Sequence, residues 1–271
     1  MSPNIQSPNV QSPNAMPPIF PDLKHKHVLI TGGANGIGAA LCRAFAKQGC
    51  ALTVLDRDRL AAEQVLAHCR QAAASIALYE IDRSDLGALT ETLARVQAER
   101  PIVDVLIANA GYDPRYDGLS MTDQQWTDLF QLNVAHYFVT CRELIPAMQQ
   151  AGRGASIIMT ASHTVWLAKP QLIAYNSTKA AIVGLTRSLA EAYGADHIRV
   201  NAIAPGWTMT ERQLAQWVTP ESKQQTIFQD QAMPLEITPE ELVGSYLFLA
   251  SNCSRPLTRQ VLVADAGQAK C

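Results

Sequence analysis

The chain has 271 residues, enough for one large α/β domain, and its 48% apolar content excludes a disordered protein. Its 22 basic and 24 acidic residues nearly cancel, which gives no indication of a nucleic-acid partner, and no apolar run of about 18 residues predicts a membrane span. The six cysteines form no C-x-x-C pair and no histidine stands at metal-ligand spacing, so we expect no metal, mostly reduced core thiols and a cytoplasmic location.

The first 23 residues differ from the rest of the chain. Ser-Pro-Asn recurs at residues 2–4, 7–9 and 12–14, and five of the first 18 residues are proline. Such a segment buries too little apolar surface to order itself. We therefore expect a flexible tail over residues 1–23, followed by a single domain over residues 24–271.

A glycine-rich turn follows the first predicted strand, residues 27–31, and leads into a helical pattern near 36–48. Gly32 can adopt the backbone angles of a sharp turn, Gly36 lets the main chain approach a phosphate, and Gly38 permits close packing. Free N–H groups and the positive end of the helix would then face an anion. The predicted pyrophosphate site consists of Gly32, Asn35, Gly36, Ile37 and Gly38.

An acidic residue ends the second predicted strand, residues 51–56. Asp56 comes 18 residues after Gly38, about where a carboxylate accepts hydrogen bonds from the adenosine ribose hydroxyls. Since a carboxylate would repel a 2′-phosphate, we predict NAD as the cofactor. Arg57 leaves NADP open, because an arginine can pair with that phosphate.

Strands and helices alternate along the remainder of the chain. This alternation predicts a single-domain, Rossmann-type, doubly wound sheet of seven parallel strands with helices on both faces. We expect Pro146 to kink the fourth long helix or to end its regular part. The further predicted strands lie near 76–81, 103–108, 155–161, 198–203 and 260–264, and the helices near 58–73, 85–99, 122–150, 174–193, 210–217 and 239–251.

Tyr175 and Lys179 stand four residues apart in an amphipathic stretch, which puts both side chains on one face of a helix. A phenol titrates near pH 10, and a neighbouring ammonium stabilises its ionised form. Lowering the pKa of the phenol by roughly three units requires only about 4 kcal/mol. This pair would serve as a base, although Tyr-x-x-x-Lys in isolation is also typical of an ordinary surface helix.

Six motifs that occur in one order favour a catalytic Tyr175–Lys179 pair over an ordinary surface helix. Besides the glycine turn and the Tyr175–Lys179 pair, they are Asn109-Ala110-Gly111 after a strand, Asn133 in a helix, Ser162 thirteen residues before Tyr175, and Pro205-Gly206 after the sixth strand. With them the chain closely resembles the short-chain dehydrogenase/reductases over roughly residues 24–267.

The resemblance implies a role for each matching residue. Tyr175 would be the general acid/base, Ser162 would orient the reacting oxygen, Lys179 would lower the pKa of Tyr175 and bind the nicotinamide ribose, and Asn133 would hold a relay water. It also implies a homo-oligomer, a dimer or tetramer formed through the long fourth and fifth helices. Cofactor contacts, with Asp82 at the adenine, would come from Asp82, Arg83, Asn109, Ala110, Gly111, Tyr175, Lys179, Pro205, Gly206, Thr208 and Thr210.

The segments that would bound the substrate pocket are unusually polar. Polar groups interleaved with aromatic rings suit a sugar better than a steroid or an acyl chain. The pattern from Arg212 to Glu221, inside a predicted lid over about 207–235, also resembles aldose 1-dehydrogenases acting on pentoses, 6-deoxyhexoses or related sugars. The candidate substrate contacts are Ser162, His163, Gln171, Tyr175, Trp207, Asp113 and Arg212.

Structural alternatives stay open for these candidates. His163 would cap a strand end, Trp207 and Trp217 would pack the lid, Asp113 and Arg115 would pair in a solvated loop, and Gln171 would face solvent. The expected reaction is oxidation of the C1 hydroxyl of a sugar to an aldonolactone with NAD, with a small-molecule substrate as the only partner besides another copy of the chain. A polyol dehydrogenase, a 3-oxoacyl reductase and a non-catalytic NAD-binding regulator remain as alternatives.

Overall fold

The computed structural model describes residues 17–116 and 118–270. Seven strands form one sheet in the order β3-β2-β1-β4-β5-β6-β7, and every neighbouring pair is parallel. The predicted doubly wound sheet is therefore confirmed. The strands are β1 His27–Thr31, β2 Ala51–Asp56, β3 Ser75–Glu80, β4 Val105–Ala108, β5 Ala155–Thr160, β6 Ile198–Pro205 and β7 Val261–Ala264.

Ten α-helices connect and cover these strands in the part of the chain that the structure describes. Several begin at a side-chain cap: the carboxylates of Asp58 and Asp85 accept hydrogen bonds from the first turns of the second and third helices. The helices are α1 Gly36–Lys47, α2 Arg59–Cys69, α3 Leu86–Glu99, α4 Asp123–Phe130, α5 His136–Ala151, α6 Thr164–Leu167, α7 Ile173–Tyr193, α8 Glu211–Gln216, α9 Pro220–Gln225 and α10 Pro239–Ala250.

The long helix predicted over 122–150 is divided, but not at its proline. A π-helical segment, Gln131–Ala135, separates α4 from α5, and α5 runs past Pro146 to Ala151. The expectation that Pro146 ends the regular helix is therefore wrong. A π-helical turn changes the hydrogen-bond spacing and re-aims the side chains on it, and such turns are frequent at functional sites.

The core lies on both faces of the sheet because successive strand residues point to opposite sides. Val28 and Ile30 of β1 belong to one buried cluster with α1 and α10, and Leu29 belongs to the other with α3, α5 and α7. Four cysteines are buried, as expected for core thiols: Cys42, Cys50, Cys69 and Cys141. Cys253 is exposed, and Cys271 lies outside the described residues.

The packed unit begins before residue 24. Leu23 is only 1% exposed within the core, the backbone N–H of Phe20 donates to Gln48 Oε1, and Gln48 Nε2 donates to the carbonyl of Pro18. The boundary expected at residue 23 thus falls inside a packed segment. Residues 1–16, which carry the Ser-Pro-Asn repeat, lie outside the described residues, and the flexible tail remains a prediction there. None of the helices in the described ranges is long and apolar enough to cross a bilayer.

Candidate active site

A cleft of about 490 Å³ opens at the carboxyl ends of the strands. It lies where the strand order reverses between β1 and β4, the position at which doubly wound sheets bind ligands. Its walls bring together the glycine turn after β1, the loop after β4, the end of β5, the start of α7 and the segment after β6. Most of the predicted cofactor residues line it, whereas Gly38, Arg57 and Asp82 do not.

The glycine turn has the geometry of an anion cradle. Gly32 and Gly36 have φ of +71° and +52°, in the left-handed region that favours glycine. A Cβ on Gly38 would overlap the carbonyl oxygen of Gly32, and one on Gly36 would lie 3.0 Å from Thr210 Cγ2. Asn35 precedes α1 without a side-chain cap bond, which leaves N–H groups at this helix N-terminus for a phosphate. These features fit a dinucleotide pyrophosphate.

Asp56 stands in the cleft at the end of β2. Its Oδ2 accepts from the N–H of Ala34 at 2.9 Å and its Oδ1 from the N–H of Asp58 at 3.0 Å, so the carboxylate is held in place with lone pairs to spare. Asp82 instead turns toward Ser84, whose N–H and hydroxyl both donate to it and lower its pKa. Both bonds go to Oδ1, so Oδ2 keeps its lone pairs, and the expected contact between Asp82 and adenine stays a prediction.

Asn109 ties the ends of the two central strands together. Its Nδ2 donates to the carbonyl of Gly32 at 3.0 Å, and its own N–H donates to Thr31 Oγ1 at 3.1 Å. The N–H of Ala110 shares the same threonine oxygen. The loop that begins with Asn109 is thus fixed against the glycine turn, and the two walls of the cleft are held at a set separation.

Lys179 is a buried amine at the base of the cleft, with only 2% of its surface exposed. Its Nζ donates to the carbonyl of Thr160 at 2.7 Å and lies 5.7 Å from the centre of the Tyr175 ring. Burial, and then the charge of Arg83, lower its pKa to about 7. A Cβ on Gly111 would come within 3.3 Å of Nζ, so the absence of a side chain there leaves room for the amine.

Tyr175 and Ser162 both line the cleft, and the Ser162 hydroxyl is close enough to the phenol to lower its pKa. Ser162 is itself oriented by Thr164, whose hydroxyl lies 2.9 Å from Ser162 Oγ. Burial and the charge of Asp113 raise the pKa of Tyr175 well above 10, against the opposing effects of Ser162 and Arg212. Desolvation thus sets the direction of this pKa in the protein without cofactor. That Lys179 and the charge of an oxidised nicotinamide together lower it stays a prediction.

Asn133 lies in the π-helical segment and is completely buried. Its Oδ1 accepts from the N–H of Tyr112 at 2.9 Å, and its Nδ2 donates to the Tyr112 carbonyl at 2.8 Å and to Thr178 Oγ1 at 3.3 Å. The side chain thus joins the loop after β4 to α7, with both amide protons engaged. A role in holding a relay water stays a prediction.

Two side chains from the loop after β4 and two from α8 close one end of the cleft. Asp113 pairs with Arg212 at 2.9 Å and accepts from Gln213 Nε2 at 2.6 Å. Arg212 also stacks over the ring of Tyr112, with 4.5 Å between its Cζ and the ring centre. The alternative in which Asp113 pairs with Arg115 is therefore wrong, since Arg115 instead stacks 4.1 Å above the ring of Trp217.

The remaining substrate candidates divide between the cleft and a second cavity beside it. His163 lines both the cleft and the second cavity and is 5% exposed. Burial lowers the pKa of its imidazole. Asp265, whose carboxylate lies 3.4 Å from His163 Nδ1, has the opposite effect on this pKa. Trp207 lines both as well, and its Nε1 donates to Gln213 Oε1. Gln171 lines only the second cavity.

The segment after β6 contributes main chain and two hydroxyls. Thr208 donates its hydroxyl to the Gly206 carbonyl at 3.0 Å, and Thr210 caps α8 by accepting from the N–H of Gln213 at 3.3 Å. A Cβ on Gly206 would meet Ile237 and Asp265 within 3 Å, so only glycine fits.

In the described ranges no group of three His, Cys, Asp or Glu side chains could hold a metal ion.

Several residues of the site escape prediction from the sequence. Thr164 follows Ser162 by two residues but belongs to no motif, and Gln213, Asp265 and Gln268 reach the site from elements distant in the chain. No spacing in the sequence indicates these contacts, because the fold alone brings them together.

Comparison with known proteins agrees with this geometry. The family model described as short chain dehydrogenase matches residues 26–219. The chain is 39% identical over 252 residues to a protein named probable galactose dehydrogenase GalD of Rhizobium meliloti (strain 1021), covering 92% of this chain and 96% of that one. It is 38% identical over 249 residues to D-xylose 1-dehydrogenase of Caulobacter vibrioides (strain NA1000 / CB15N), covering 92% and 98%.

Two solved structures with bound cofactor are similar throughout. One is provisionally assigned as an NAD(P)-dependent gluconate 5-dehydrogenase from Beutenbergia cavernae and holds NADP; it has a TM-score of 0.85, 28% identity, and coverage of 91% of this chain and 98% of that one. The other is a 3-oxoacyl-[acyl-carrier protein] reductase from Brucella melitensis with NAD, with a TM-score of 0.81, 28% identity, and coverage of 92% and 93%.

Proposed function

Because this chain belongs to the short-chain dehydrogenase family, whose members are NAD(P)-dependent oxidoreductases acting on CH–OH groups, we propose that it is an NAD-dependent aldose 1-dehydrogenase. The reaction is oxidation of the C1 hydroxyl of a cyclic sugar to the aldonolactone. The observation that carries the proposal is the convergence of Ser162, Tyr175 and Lys179 with the glycine turn in one cleft. The similarity to proteins named for galactose and xylose supports the choice of a sugar.

The residues of the cleft fit a dinucleotide along its length. The glycine turn would hold the pyrophosphate, Asp56 the adenosine ribose, and the loop beginning at Asn109 the middle of the cofactor. The main chain at Thr208 and the hydroxyl of Thr210 would hold the carboxamide. When bound, the oxidised nicotinamide supplies a hydride acceptor and a positive charge that favours the phenolate form of Tyr175.

The chain itself handles the proton. Ser162, fixed by Thr164, orients the substrate oxygen, and Tyr175 removes the proton from the C1 hydroxyl. The transfer leaves Tyr175 as a neutral phenol. A protonated Lys179 stabilises the phenolate that exists before the transfer, and the pKa of Lys179, about 7, lets it gain or release a proton near neutrality. The buried base of the cleft keeps bulk water from this pair, so each charge acts more strongly than it would in water.

A carboxylate at Asp56 supports NAD over NADP. The cleft side of β2 presents this acid, whereas Arg57 lies outside the cleft and is exposed. Arg57 lines a small neighbouring cavity together with Asp56, so the preference depends on the carboxylate that the cleft itself presents. The charge at this position favours a free ribose.

The polar walls near Tyr175 support a sugar over the alternatives within the family. Asp113, Arg212 and Gln213 close this end of the cleft with an ion pair and a hydrogen bond. An acyl chain would displace water from these groups and offer no hydrogen bonds in its place, which is unfavourable. A 3-oxoacyl reductase is therefore the weaker candidate, and a polyol dehydrogenase shares the polarity but differs in the carbon oxidised.

The test measures NADH formation with a panel of aldoses, polyols and 3-oxoacyl thioesters, with NAD⁺ and NADP⁺ in parallel. We expect aldoses with NAD⁺ to give the highest kcat/KM. Tyr175→Phe should lower kcat by about 10³-fold or more while NADH still binds. Tyr193→Phe, at the other end of α7 and outside the cleft, is the matched control.

Three outcomes would count against the proposal. Turnover of polyols alone would move the reaction to another carbon, and NADH binding without oxidation of any alcohol would indicate a regulator. Retained activity in Tyr175→Phe would remove the tyrosine from the role of base.

A further inference from the structure

The hydroxyl of Ser162 has two contacts with one neighbouring residue. Its Oγ accepts the main-chain N–H of Thr164 at 3.2 Å and lies 2.9 Å from Thr164 Oγ1. Both residues are only 7% exposed, and both line the cleft. The same Oγ is close enough to Tyr175 to lower the pKa of the phenol. Thr164 therefore acts directly on the serine that faces the reacting oxygen.

The hydrogen-bonding capacity of a hydroxyl limits what Ser162 can do. Its oxygen can accept two hydrogen bonds, and its single proton can make one. The N–H of Thr164 occupies one acceptor position. In the part of the chain that the structure describes, Ser162 Oγ is the only partner of Thr164 Oγ1, so the second contact runs in one of two directions. Either Ser162 donates to Thr164 and has no proton left for the reacting oxygen, or Thr164 donates and fills the second acceptor position.

Negative charge in the cleft favours donation from Thr164. A phenolate at Tyr175, and then the charge that develops on the substrate oxygen, attracts the proton of a hydrogen bond. Once Ser162 directs its proton to that oxygen, the hydroxyl of Thr164 is the donor that remains for the free acceptor position. Each donor in such a chain polarises the next, which strengthens the bond that Ser162 makes. Because both hydroxyls are buried, water competes little for these positions.

From this we infer that Thr164 is a positioning residue that makes Ser162 an obligate hydrogen-bond donor to the reacting oxygen. The inference rests on the proposed function and deepens it. With both acceptor positions of Ser162 occupied, the C1 hydroxyl can accept a hydrogen bond from Ser162 but cannot donate one to it. The C1 proton therefore passes to Tyr175, and Ser162 keeps its own.

Three substitutions separate the hydroxyl of Thr164 from the rest of its side chain. Thr164→Val keeps the shape and removes the donor, whereas Thr164→Ser keeps the donor and removes the methyl group. Thr164→Ala removes the hydroxyl without placing a methyl group where the oxygen was. We expect both variants without a hydroxyl to destabilise the phenolate of Tyr175, and we expect Thr164→Ser to behave like the unaltered protein.

The first measurement is the pH profile of kcat/KM with NAD⁺ and the alcohol that the unaltered protein oxidises fastest. Because the reaction requires the phenolate, kcat/KM rises with pH as Tyr175 ionises. Loss of the Thr164 donor should move this rise to higher pH and lower kcat/KM on the acid side about three- to tenfold, with a smaller loss at high pH. A steric effect would instead lower kcat/KM equally at every pH.

The second measurement does not depend on turnover. Tyrosinate absorbance of the complex with NAD⁺ is followed during a pH titration, and the contribution of Tyr175 is the part of the signal that Tyr175→Phe removes. In Thr164→Val this part should appear at higher pH than in the unaltered protein. In Thr164→Ser it should appear at the same pH.

The other ionisable groups around Tyr175 stay in place in these variants. None of them is hydrogen-bonded to the side chain of Thr164 within the described ranges. They are Lys179 on α7, Asp113 after β4, Arg212 on α8, Tyr246 on α10, Tyr137 on α5 and His163 beside Ser162. The control is Thr186→Val on α7, which removes a buried hydroxyl that donates to the Ile182 carbonyl outside the cleft, and it should leave both measurements unchanged.

Each contrary result has a distinct meaning. A pH profile and a tyrosinate titration that are the same in Thr164→Val as in the unaltered protein, an equal loss at every pH, or a Thr164→Ser variant as impaired as Thr164→Val would overturn the inference and leave the proposed function standing. Oxidation of polyols but not of aldoses would overturn the choice of a sugar, and the Thr164 variants then decide the inference with the polyol. Absence of oxidation of any alcohol, with no tyrosinate signal that Tyr175→Phe removes, would overturn both.

Discussion

At the scale of single residues, the site depends on ionisable groups removed from water. Lys179 keeps one carbonyl partner and almost no solvent, and the Thr160 carbonyl that accepts from it also accepts from the hydroxyl of Tyr137 at 3.2 Å. Burying an amine in this way costs stability whenever the amine is protonated. The arrangement is therefore maintained at the expense of folding free energy, as is common where chemistry requires a shifted pKa.

Lys179→Met should stabilise the protein, and the gain should depend on pH. Burial lowers the pKa of Lys179 from 10.5 to about 7, so the cost of the charged amine is complete below pH 7 and is lost as the pH rises toward 10.5. We expect a gain of about 5 kcal/mol in the free energy of unfolding near pH 6, falling by about 1.4 kcal/mol per pH unit between pH 7 and pH 10.5. Urea unfolding at several pH values measures this, with Lys47→Met at an exposed position as control.

A gain that stays constant across this pH range would show that Lys179 is not desolvated as the structure indicates. Removing the lysine should at the same time lower activity, which separates its role in chemistry from its effect on folding.

Asp56→Ala should relax the proposed preference for NAD. Without the carboxylate, the repulsion toward a 2′-phosphate disappears and one pair of ribose hydrogen bonds is lost, so we expect the ratio of kcat/KM for NADP⁺ to that for NAD⁺ to rise about tenfold or more. Asp58→Ala, next to it but outside the cleft, should leave the ratio unchanged. Equal ratios in both variants would assign the preference to another residue.

Residue-scale features were predictable from the sequence where they are local. The glycines, Asp56 and the Tyr175–Lys179 pair follow from spacing along one strand or helix. The direction of the Tyr175 pKa did not follow, because desolvation depends on what surrounds the ring. The bond from Gln213 to Asp113 was equally inaccessible, since it joins residues 100 positions apart.

At the scale of elements, the close approach of one main-chain segment to another determines which helix positions require glycine. The start of α1 sits directly on the glycine turn, with the missing Cβ of Gly38 making room for the Gly32 carbonyl. Helix α10 has a glycine too, Gly244, but nothing lies within 4 Å of the position its Cβ would take. A side chain at Gly38 would therefore clash with the main chain, whereas one at Gly244 would meet open space.

Gly38→Ala and Gly244→Ala should therefore change stability in opposite directions. At Gly38 the added methyl group forces α1 away from the turn, and we expect a loss of about 2 kcal/mol or more together with at least tenfold weaker NADH binding. At Gly244 the same change should stabilise by about 0.5–1 kcal/mol because alanine is the better helix former. Thermal unfolding and NADH fluorescence titration distinguish the two. Normal NADH affinity in Gly38→Ala would contradict the cradle.

The order and type of the long elements were predictable because apolar periodicity sets them. The π-helical turn over Gln131–Ala135 was not predictable, since its side chains fit an ordinary helix and its spacing is set by packing of Asn133 against Tyr112 and Thr178. Helix α9 was also missed, because its six residues form too short a pattern to stand out from a loop.

At the scale of the whole molecule, α4 and α5 carry large apolar side chains that the rest of the described chain covers only in part. Phe138 on α5 is 49% exposed and Trp126 on α4 is 40% exposed. These helices belong to the region through which the expected dimer or tetramer would form. The oligomer itself stays a prediction, and these side chains supply a direct way to test it.

Phe138→Glu should weaken self-association, because a charge buried in an apolar interface costs several kcal/mol. Sedimentation velocity across a range of concentrations should show a smaller species than the unaltered protein forms. Leu60→Glu on α2, where the leucine is 74% exposed, is the control for adding a charge elsewhere. A monomer in the unaltered protein, or an unchanged assembly in Phe138→Glu, would place the contact on another surface or remove it.

The last turn of the chain has a practical consequence for anyone who purifies this protein. The carboxylate of Asp265 accepts from the N–H groups of Gly267, Gln268 and Ala269, which folds the polypeptide back against the wall that contains His163. An affinity tag joined after Cys271 would begin only four positions beyond Gln268. Assays of sugar selectivity should therefore use material tagged at the amino terminus, or with the tag cleaved, before any preference is assigned to the enzyme.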